Sequence, residues 1–461
     1  MSDQMEKSTA VQELDSSTTH EDLMPTPPEK RTITSVTFFV MCVGMYVQLL
    51  SFINGAQLYP GLSPKMIIFA CLAGNGLVWL LLTLTGDIGI KHGLPYAIYL
   101  RAPFGYKGSQ APGLVRAIPA MFWFGFQTYL GSMAIHEIVK LIFGKSNLWI
   151  IVFLFAAAQV VNCAMGVNAM AKFDWVATPI LLVVGIYIEY FLIKNYNITW
   201  DVINAPGDGS MSVLMGIAIM AGPQTTMAVS VCDLTRFIKR KESGGFFEQN
   251  KGAMCAQFFG MVPVITMFVL IGMTSGIATG EYNPITVMTV VFADNPVILV
   301  LALSAFVVFA QIATNTAQNL MPPGYVLSNL FPGKLKYSTA VVICGCVGMA
   351  MMPWRFEAHV NIILLVVGCL LGPVVGIMIA DYHMLRHRQL NIKALYDTSG
   401  QYNYVNGFNP AAFIVWIPGA LSGFLIPDYA FFVGIIVGGI CYYLMMKFWI
   451  LKKYPQSEIT D

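Results

Sequence analysis

The stretch with the most chemistry per residue is AQIATNTAQNL, Ala310 to Leu320, which follows a strongly apolar flank, VILVLALSAFVVF. On a helix, Gln311, Thr314, Asn315, Gln318 and Asn319 recur at steps of three and four and form one polar stripe. An unpaired amide or hydroxyl in hydrocarbon costs several kcal/mol, so the stripe must face a partner helix or a water-accessible cavity. A hydrogen-bonded packing seam satisfies that requirement. So does the wall of a substrate and ion site, and three further spans with misplaced polar groups favour the second reading.

The first of these is TFFVMCVGMYVQLLSFINGAQLY, interrupted by Gln48, Ser51, Asn54 and Gly55. The second is AMFWFGFQTYLGSMAIHEI, where Trp123 and Gln127 stand one helical turn apart on one face, an indole plane with an amide beside it. The third is SVLMGIAIMAGPQTTMAVSVCDLTRF, where Gly222 and Pro223 precede Gln224, Thr225 and Thr226. A proline inside a helix removes a backbone hydrogen bond and clashes with the preceding turn, so this span should break or unwind there. Four spans thus converge on one aromatic plane, Trp123, and the amides Gln48, Gln127, Gln224, Asn315 and Asn319. Amides donate and accept without fixed charge, which suits a small, flat, uncharged ligand rich in N–H and C=O groups. A sugar also fits such a set; an amino acid, with its two charges, fits it less well.

Ionisable groups inside a span default to function, but His136, Glu137 and Glu189 lie near span ends and read as structural, the first two forming an ion pair with Lys140. No carboxylate stands out in the spans as a proton carrier. Paired carboxylates, a metal-ligand cluster and a nucleophile with its base are likewise not apparent there, which disfavours a membrane enzyme. Paired helix breaks disfavour a passive channel.

The elements that must position these groups follow from composition. Hydrophobic residues make up 56% of the 461 and charged residues 11%, the balance of a polytopic membrane protein. A net charge of +2 gives no case for nucleic acid. The nine cysteines lie in or beside apolar segments and read as small buried hydrophobes. Apolar runs long enough to cross a bilayer fall at 33–57, 64–86, 112–142, 147–168, 174–194, 210–233, 253–279, 294–319, 337–354, 359–384, 411–427 and 429–450, twelve in all. The segment between the second and third, with Lys91, Arg101 and Lys107, is expected at the membrane interface. With a cytoplasmic N-terminus, all of the 26 lysines and arginines except Lys65, Lys140, Lys145, Lys194 and Arg355 lie inside, which sets both termini in the cytoplasm of an inner (plasma) membrane protein. Broken first and sixth spans match the inverted-repeat transporter pattern, with substrate and ion near the midplane.

The motifs GMYVQ, RAPFG, WFGFQT, ATNTAQN, MMPW, LGPVVGIMIADY and ALYDTSGQYNY, in this order, give the chain a resemblance to the nucleobase:cation symporter family, the group of cytosine, uracil, allantoin and hydantoin permeases, and within it to the hydantoin permeases most of all. The resemblance implies an all-α fold of twelve transmembrane helices, a LeuT-like five-plus-five inverted repeat with helices one and six broken, plus two C-terminal helices. The corresponding organisation is a disordered cytoplasmic tail at 1–32, repeats at 33–194 and 195–384, a cytoplasmic loop at 385–410, helices eleven and twelve at 411–450 and a tail at 451–461. It implies that Trp123 stacks on the substrate ring, that Gln127 and Asn319 hydrogen-bond it, that Gln48 lies close by and that Asn315 lines the same face. In the hydantoin permeases a second tryptophan in the broken sixth span closes the sandwich; here Gln224 stands at that position, after Pro223, which suits a more polar ligand such as allantoin. The family's sodium site maps onto Gly44, Val47, Ala310, Ala313 and Thr314, with Ala313 in place of a serine. That substitution leaves Na⁺ and H⁺ both open as the coupling ion. No cofactor is implied, the partners are a small-molecule substrate, a monovalent cation and the bilayer, and the chain is expected to act as a monomer. The expected function is import of a ureide by cation-coupled alternating access, with uracil or cytosine transport as the alternative.

Overall fold

The computed structural model describes residues 20–241 and 243–459. Every expected span has a helical counterpart. Six are single long apolar helices: Pro64–His92 (span two), Val167–Asn195 (five), Phe246–Thr279 (seven), Pro296–Leu330 (eight), Ile362–Leu385 (ten) and Pro427–Lys453 (twelve). Leu148–Ala164 (four), Tyr337–Ala350 (nine) and Pro410–Leu425 (eleven) are shorter apolar helices, and Gln110–Phe143 is span three. The remaining two are bent. Ser35–Tyr46 and Leu49–Leu58 form span one and meet at 55°, and Val213–Gly222 and Gln224–Ser230 form span six and meet at 50°.

The two breaks differ in kind. In span one the chain leaves helical geometry at Val47 (φ −76°, ψ 97°) and Gln48 (φ −126°, ψ 139°), so a turn of backbone is released from its intrahelical bonds. Gly55, which the sequence offered as part of that break, instead lets two backbones meet. A Cβ there would stand 2.0 Å from the Val269 carbonyl oxygen, and one on Gly272 would stand 1.9 Å from that of Phe52. Spans one and seven therefore touch backbone to backbone, as small residues allow in membranes. Span six bends at Gly222 and Pro223 without unwinding, since Val213–Ser230 remains one helix.

One expectation about the end of the bundle that carries the termini is corrected. Residues 1–19 of the expected disordered tail lie outside the described residues, but residues 20–33 are docked. Leu23 is fully buried. The Tyr396 hydroxyl donates to its carbonyl at 2.8 Å, Arg236 donates to the Asp22 carbonyl at 2.7 Å, and Arg31 donates to the Ile90 carbonyl at 2.6 Å. The segment also exchanges backbone bonds with the chain after span six, Ile33 N–H to Phe237 at 3.0 Å and Lys239 N–H to Ile33 at 2.8 Å. These bonds are long-range, which is why local composition reads as disorder.

The segment between spans two and three is covered by other parts of the chain. Tyr96, Tyr99, Arg101 and Phe104 are buried, because the loop 385–410 lies over them. Arg101 donates to the Leu395 carbonyl at 2.9 Å and to Asn329 Oδ1 at 2.6 Å, and Asn409 donates to the Pro103 carbonyl at 2.7 Å.

Two carboxylates knot this end together. Asp87 accepts from Arg388 (2.6 and 2.9 Å), Asn250 (2.6 Å) and the Tyr382 hydroxyl (3.1 Å). Asp381 accepts from Arg386 (2.8 Å) and the hydroxyls of Tyr99 (3.2 Å) and Tyr442 (2.8 Å), and Arg386 also pairs with Glu458. Removing one member of a buried ion pair leaves the other uncompensated, at a cost of about 3–5 kcal/mol, whereas removing one neutral donor costs on the order of 1 kcal/mol. Arg386→Leu should therefore lower the thermal unfolding midpoint of the purified protein several times more than Tyr442→Phe. Equal shifts for the two variants would contradict the knot.

Candidate functional site

Span eight supplies the centre of the site, and it is wound unevenly. Leu303–Phe309 and Asn315–Leu320 are π-helical, with Ala310–Thr314 α-helical between them. A π-turn rotates side chains away from the α-helical register and is frequent at functional sites. The stripe divides into two i,i+4 sets, all of it buried. Thr314 and Gln318 reach span one; Asn315 and Asn319 reach spans three and four.

On the span-one side, the Met45 carbonyl, released by the break, accepts from Gln318 Nε2 (2.9 Å), Gln48 Nε2 (3.2 Å) and Thr314 Oγ1 (3.2 Å). Gln48 and Gln224 form a reciprocal amide pair, Nε2 of each donating to Oε1 of the other at 3.3 and 3.2 Å, and Gln48 Nε2 also lies 3.3 Å from Gln318 Oε1. The break in span one and the bend in span six thus bring two neutral amides edge to edge. The Pro223 side chain lies outside the described residues; its backbone marks the bend.

On the span-three side, Asn319 Nδ2 donates to Gln127 Oε1 at 3.2 Å and to Asn315 Oδ1 at 2.7 Å. Asn315 is fully buried and is itself held by Gln159 Oε1 (2.8 Å), Thr128 Oγ1 (3.3 Å) and the Phe124 carbonyl (3.2 Å). Gln127 and Trp123 are both partly buried on one face of span three. The Trp123 ring packs edge-on to Phe126, with centroids 5.6 Å apart, and to Phe122 at 6.0 Å. Gln318 and Asn319 are consecutive, so the two amide clusters join into one surface. Toward the end of the bundle with the termini, Arg116 closes it, donating to the Gln318 carbonyl at 2.8 Å and to Ser230 Oγ at 3.1 Å.

The positions singled out for a cation also meet. Gly44 and Ala313 are in contact, since a Cβ on Gly44 would stand 3.2 Å from that of Ala313. The Thr314 hydroxyl lies 3.3 Å from the Val47 carbonyl. Ala310 is buried one turn earlier on the same span. Hydroxyl and carbonyl oxygens are hard donors that suit Na⁺, and Ala313 contributes none.

Sequence reasoning passed over Gln159, Thr128 and Arg116, and did not carry Gln318 from the stripe to the site. Gln159 stands alone in the apolar run FLFAAAQVV, so the rule that exposed the other amides applies to it equally. The expected ion pair of His136 and Glu137 with Lys140 does not form among the described residues. Glu189 accepts from Thr274 at 2.8 Å, tying span five to span seven.

A helical bundle with bent first and sixth spans around a buried, amide-rich surface has the LeuT-like fold of its structural neighbours, which are transporters and not enzymes. Residues 25–451 match the family described as permease for cytosine/purines, uracil, thiamine, allantoin, and the chain belongs to that family. It is 31% identical to a hydantoin permease of Microbacterium maritypicum, over 94% of this chain and 89% of that one. It is 27% identical to an allantoin permease of Bacillus subtilis (strain 168), over 93% of each. Its fold superposes with a TM-score of 0.89 on a transporter of the nucleobase-cation-symport-1 family in a closed conformation with bromovinylhydantoin bound, at 30% identity and over 97% of both chains.

Because Asn315 donates to Gln159 Oε1 and accepts from Asn319 Nδ2, Asn315→Leu removes the donor of one buried amide oxygen and one of the two acceptors of Asn319, and should cost about 1–3 kcal/mol of stability. The double variant with Gln159→Leu should cost less than the two single losses together, since both remove the same bond. Denaturation midpoints of the four proteins check this; strict additivity would show that the bond contributes nothing.

Proposed function

We propose that the chain imports a small planar ureide, allantoin or a related hydantoin, by alternating access coupled to a monovalent cation. The observation that carries this is the reciprocal Gln48–Gln224 amide pair beside the Gln127–Asn319 bond. A cyclic ureide presents the same alternation of N–H and C=O along its edge. It can take the place of one partner in each pair, so no amide is left unsatisfied with or without it.

In this reading Trp123 stacks on the ring, Gln127 and Asn319 bind one edge, Gln48 and Gln224 bind the other, and Asn315 holds Asn319 in place. Pro223 sets the bend that aims Gln224. Gly44, Val47, Ala310, Ala313 and Thr314 surround the cation, the site's second substrate. The chain works as a monomer in the plasma (inner) membrane, both termini in the cytoplasm, a placement supported by its basic residues. The names of the relatives, hydantoin permease and allantoin permease, support the ligand class. An amide at Gln224, with no second aromatic wall, favours ligands that carry a polar arm.

Stacking on an aromatic ring is worth about 1–3 kcal/mol per ring, a factor of about 5 to 150 in affinity. Trp123→Ala should lower the affinity for labelled allantoin and hydantoin, read from their uptake into proteoliposomes, by a factor of about 5 to 150, while leaving the unfolding midpoint close to that of the wild type. Full transport in that variant would remove Trp123 from the site. Gln224→Trp should move preference from allantoin toward hydantoins with aromatic substituents, measured as the ratio of their uptake rates. Uptake of uracil or cytosine in preference to both ureides would overturn the ligand assignment.

A further inference from the structure

Asp174 belongs to no network described so far. It lies in span five and is 2% exposed, and its Oδ1 has no hydrogen-bond partner. Among the described residues no ion pair involves it. Thr178, one turn along the same face, is already committed to the Val40 carbonyl of span one at 2.8 Å. A carboxylate in the interior of a membrane protein is costly unless something of opposite charge meets it.

Its position indicates what that is. Oδ1 stands 2.8 Å from the point that a Cβ on Gly44 would occupy, and the Ala313 methyl stands 3.2 Å from the same point. The orphaned oxygen and the side chain that lacks one therefore flank a single glycine, which has no side chain to separate them. One residue along each chain, Met45 O and Thr314 Oγ1 lie 3.2 Å apart. Neutral oxygens thus lie on the residues next to Gly44 and Ala313.

We propose that Asp174 is a ligand of the cation site, a carboxylate from span five that supplies the oxygen missing at Ala313 and makes the site a charged one for Na⁺. This rests on the placement of that site between spans one and eight. It adds a third span to the site, so cation binding draws span five toward the junction of the other two. The net charge of the occupied site is zero, which matches a monovalent ion and disfavours a divalent one.

The test needs no substrate. The full-length purified protein is titrated with NaCl against choline chloride at constant ionic strength and pH, reading the thermal unfolding midpoint and intrinsic tryptophan fluorescence. Wild type should show a saturable response to Na⁺. Asp174→Asn should raise the half-saturating Na⁺ concentration by about tenfold or more, the equivalent of about 1.4 kcal/mol. In choline alone its midpoint should equal or exceed that of wild type, because a buried carboxyl without a partner has been removed. Ala313→Ser in the Asp174→Asn background should recover part of the lost Na⁺ affinity. An Asp174→Asn protein with an unchanged Na⁺ curve overturns the assignment, as does a wild type that ignores Na⁺. Allantoin or hydantoin added at saturating Na⁺ reports separately on the ligand reading, so silence there leaves the cation result standing.

Discussion

In hydrocarbon a polar group has no solvent to fall back on, and every amide in this bundle must find its partner within the protein. Span eight concentrates that constraint. Gln318 and Asn319 are consecutive, about 100° apart around the helix, so Gln318 meets span one and Asn319 meets span three, and each amide is met from a different direction. Through them spans one, three, four, six and eight share a single polar surface, and the rest of the architecture serves to hold them there.

The two ends of the molecule are built differently. Where the termini lie, charges are buried and paired: Asp87 with Arg388, Asp381 with Arg386, and Arg101 among carbonyl and amide oxygens. Such contacts have a single satisfactory geometry, and they bind spans two and ten and both long connecting segments into one frame. The central site contains neutral amides bonded to each other, the Gln48–Gln224 and Gln127–Asn319 bonds at 3.2–3.3 Å. Neutral amide bonds exchange at little net cost, because a new partner restores what is lost. A frame of buried ion pairs around a centre of exchangeable amides suits a molecule that must open to bind and yet keep its helices in register.

Much of this was legible in the sequence because membranes make hydropathy decisive. Twelve spans, the broken first and sixth, and the amides Gln48, Gln127, Gln224, Asn315 and Asn319 all stand out against an apolar background. What escaped notice did so for identifiable reasons. The π-turns leave no local signature, so the stripe was read at α-helical spacing. Residues 20–33 are ordered only through distant backbone groups. The apolar run marks span five from residue 174, whereas its helix begins at Val167. That difference moves Asp174 from the end of the helix to its third turn, where it is buried.

On the proposed assignment, Asp174 and Ala313 bear on how a cation site can do without a hydroxyl ligand. A hydroxyl replaced by a methyl leaves a cation with fewer oxygens, and a nearby carboxylate is a stronger donor than the group it replaces. The exchange changes the character of the site. A neutral cage binds an ion weakly and releases it readily, while a charged one binds more strongly and holds a carboxylate that is unpaired once the ion departs. The unpaired state is the less stable, so ion release is resisted and ion entry is favoured. Gly44 makes the exchange feasible, because any side chain there would occupy the space between Asp174 and Ala313. The three residues therefore act as one unit, and altering any one of them changes what the other two can bind.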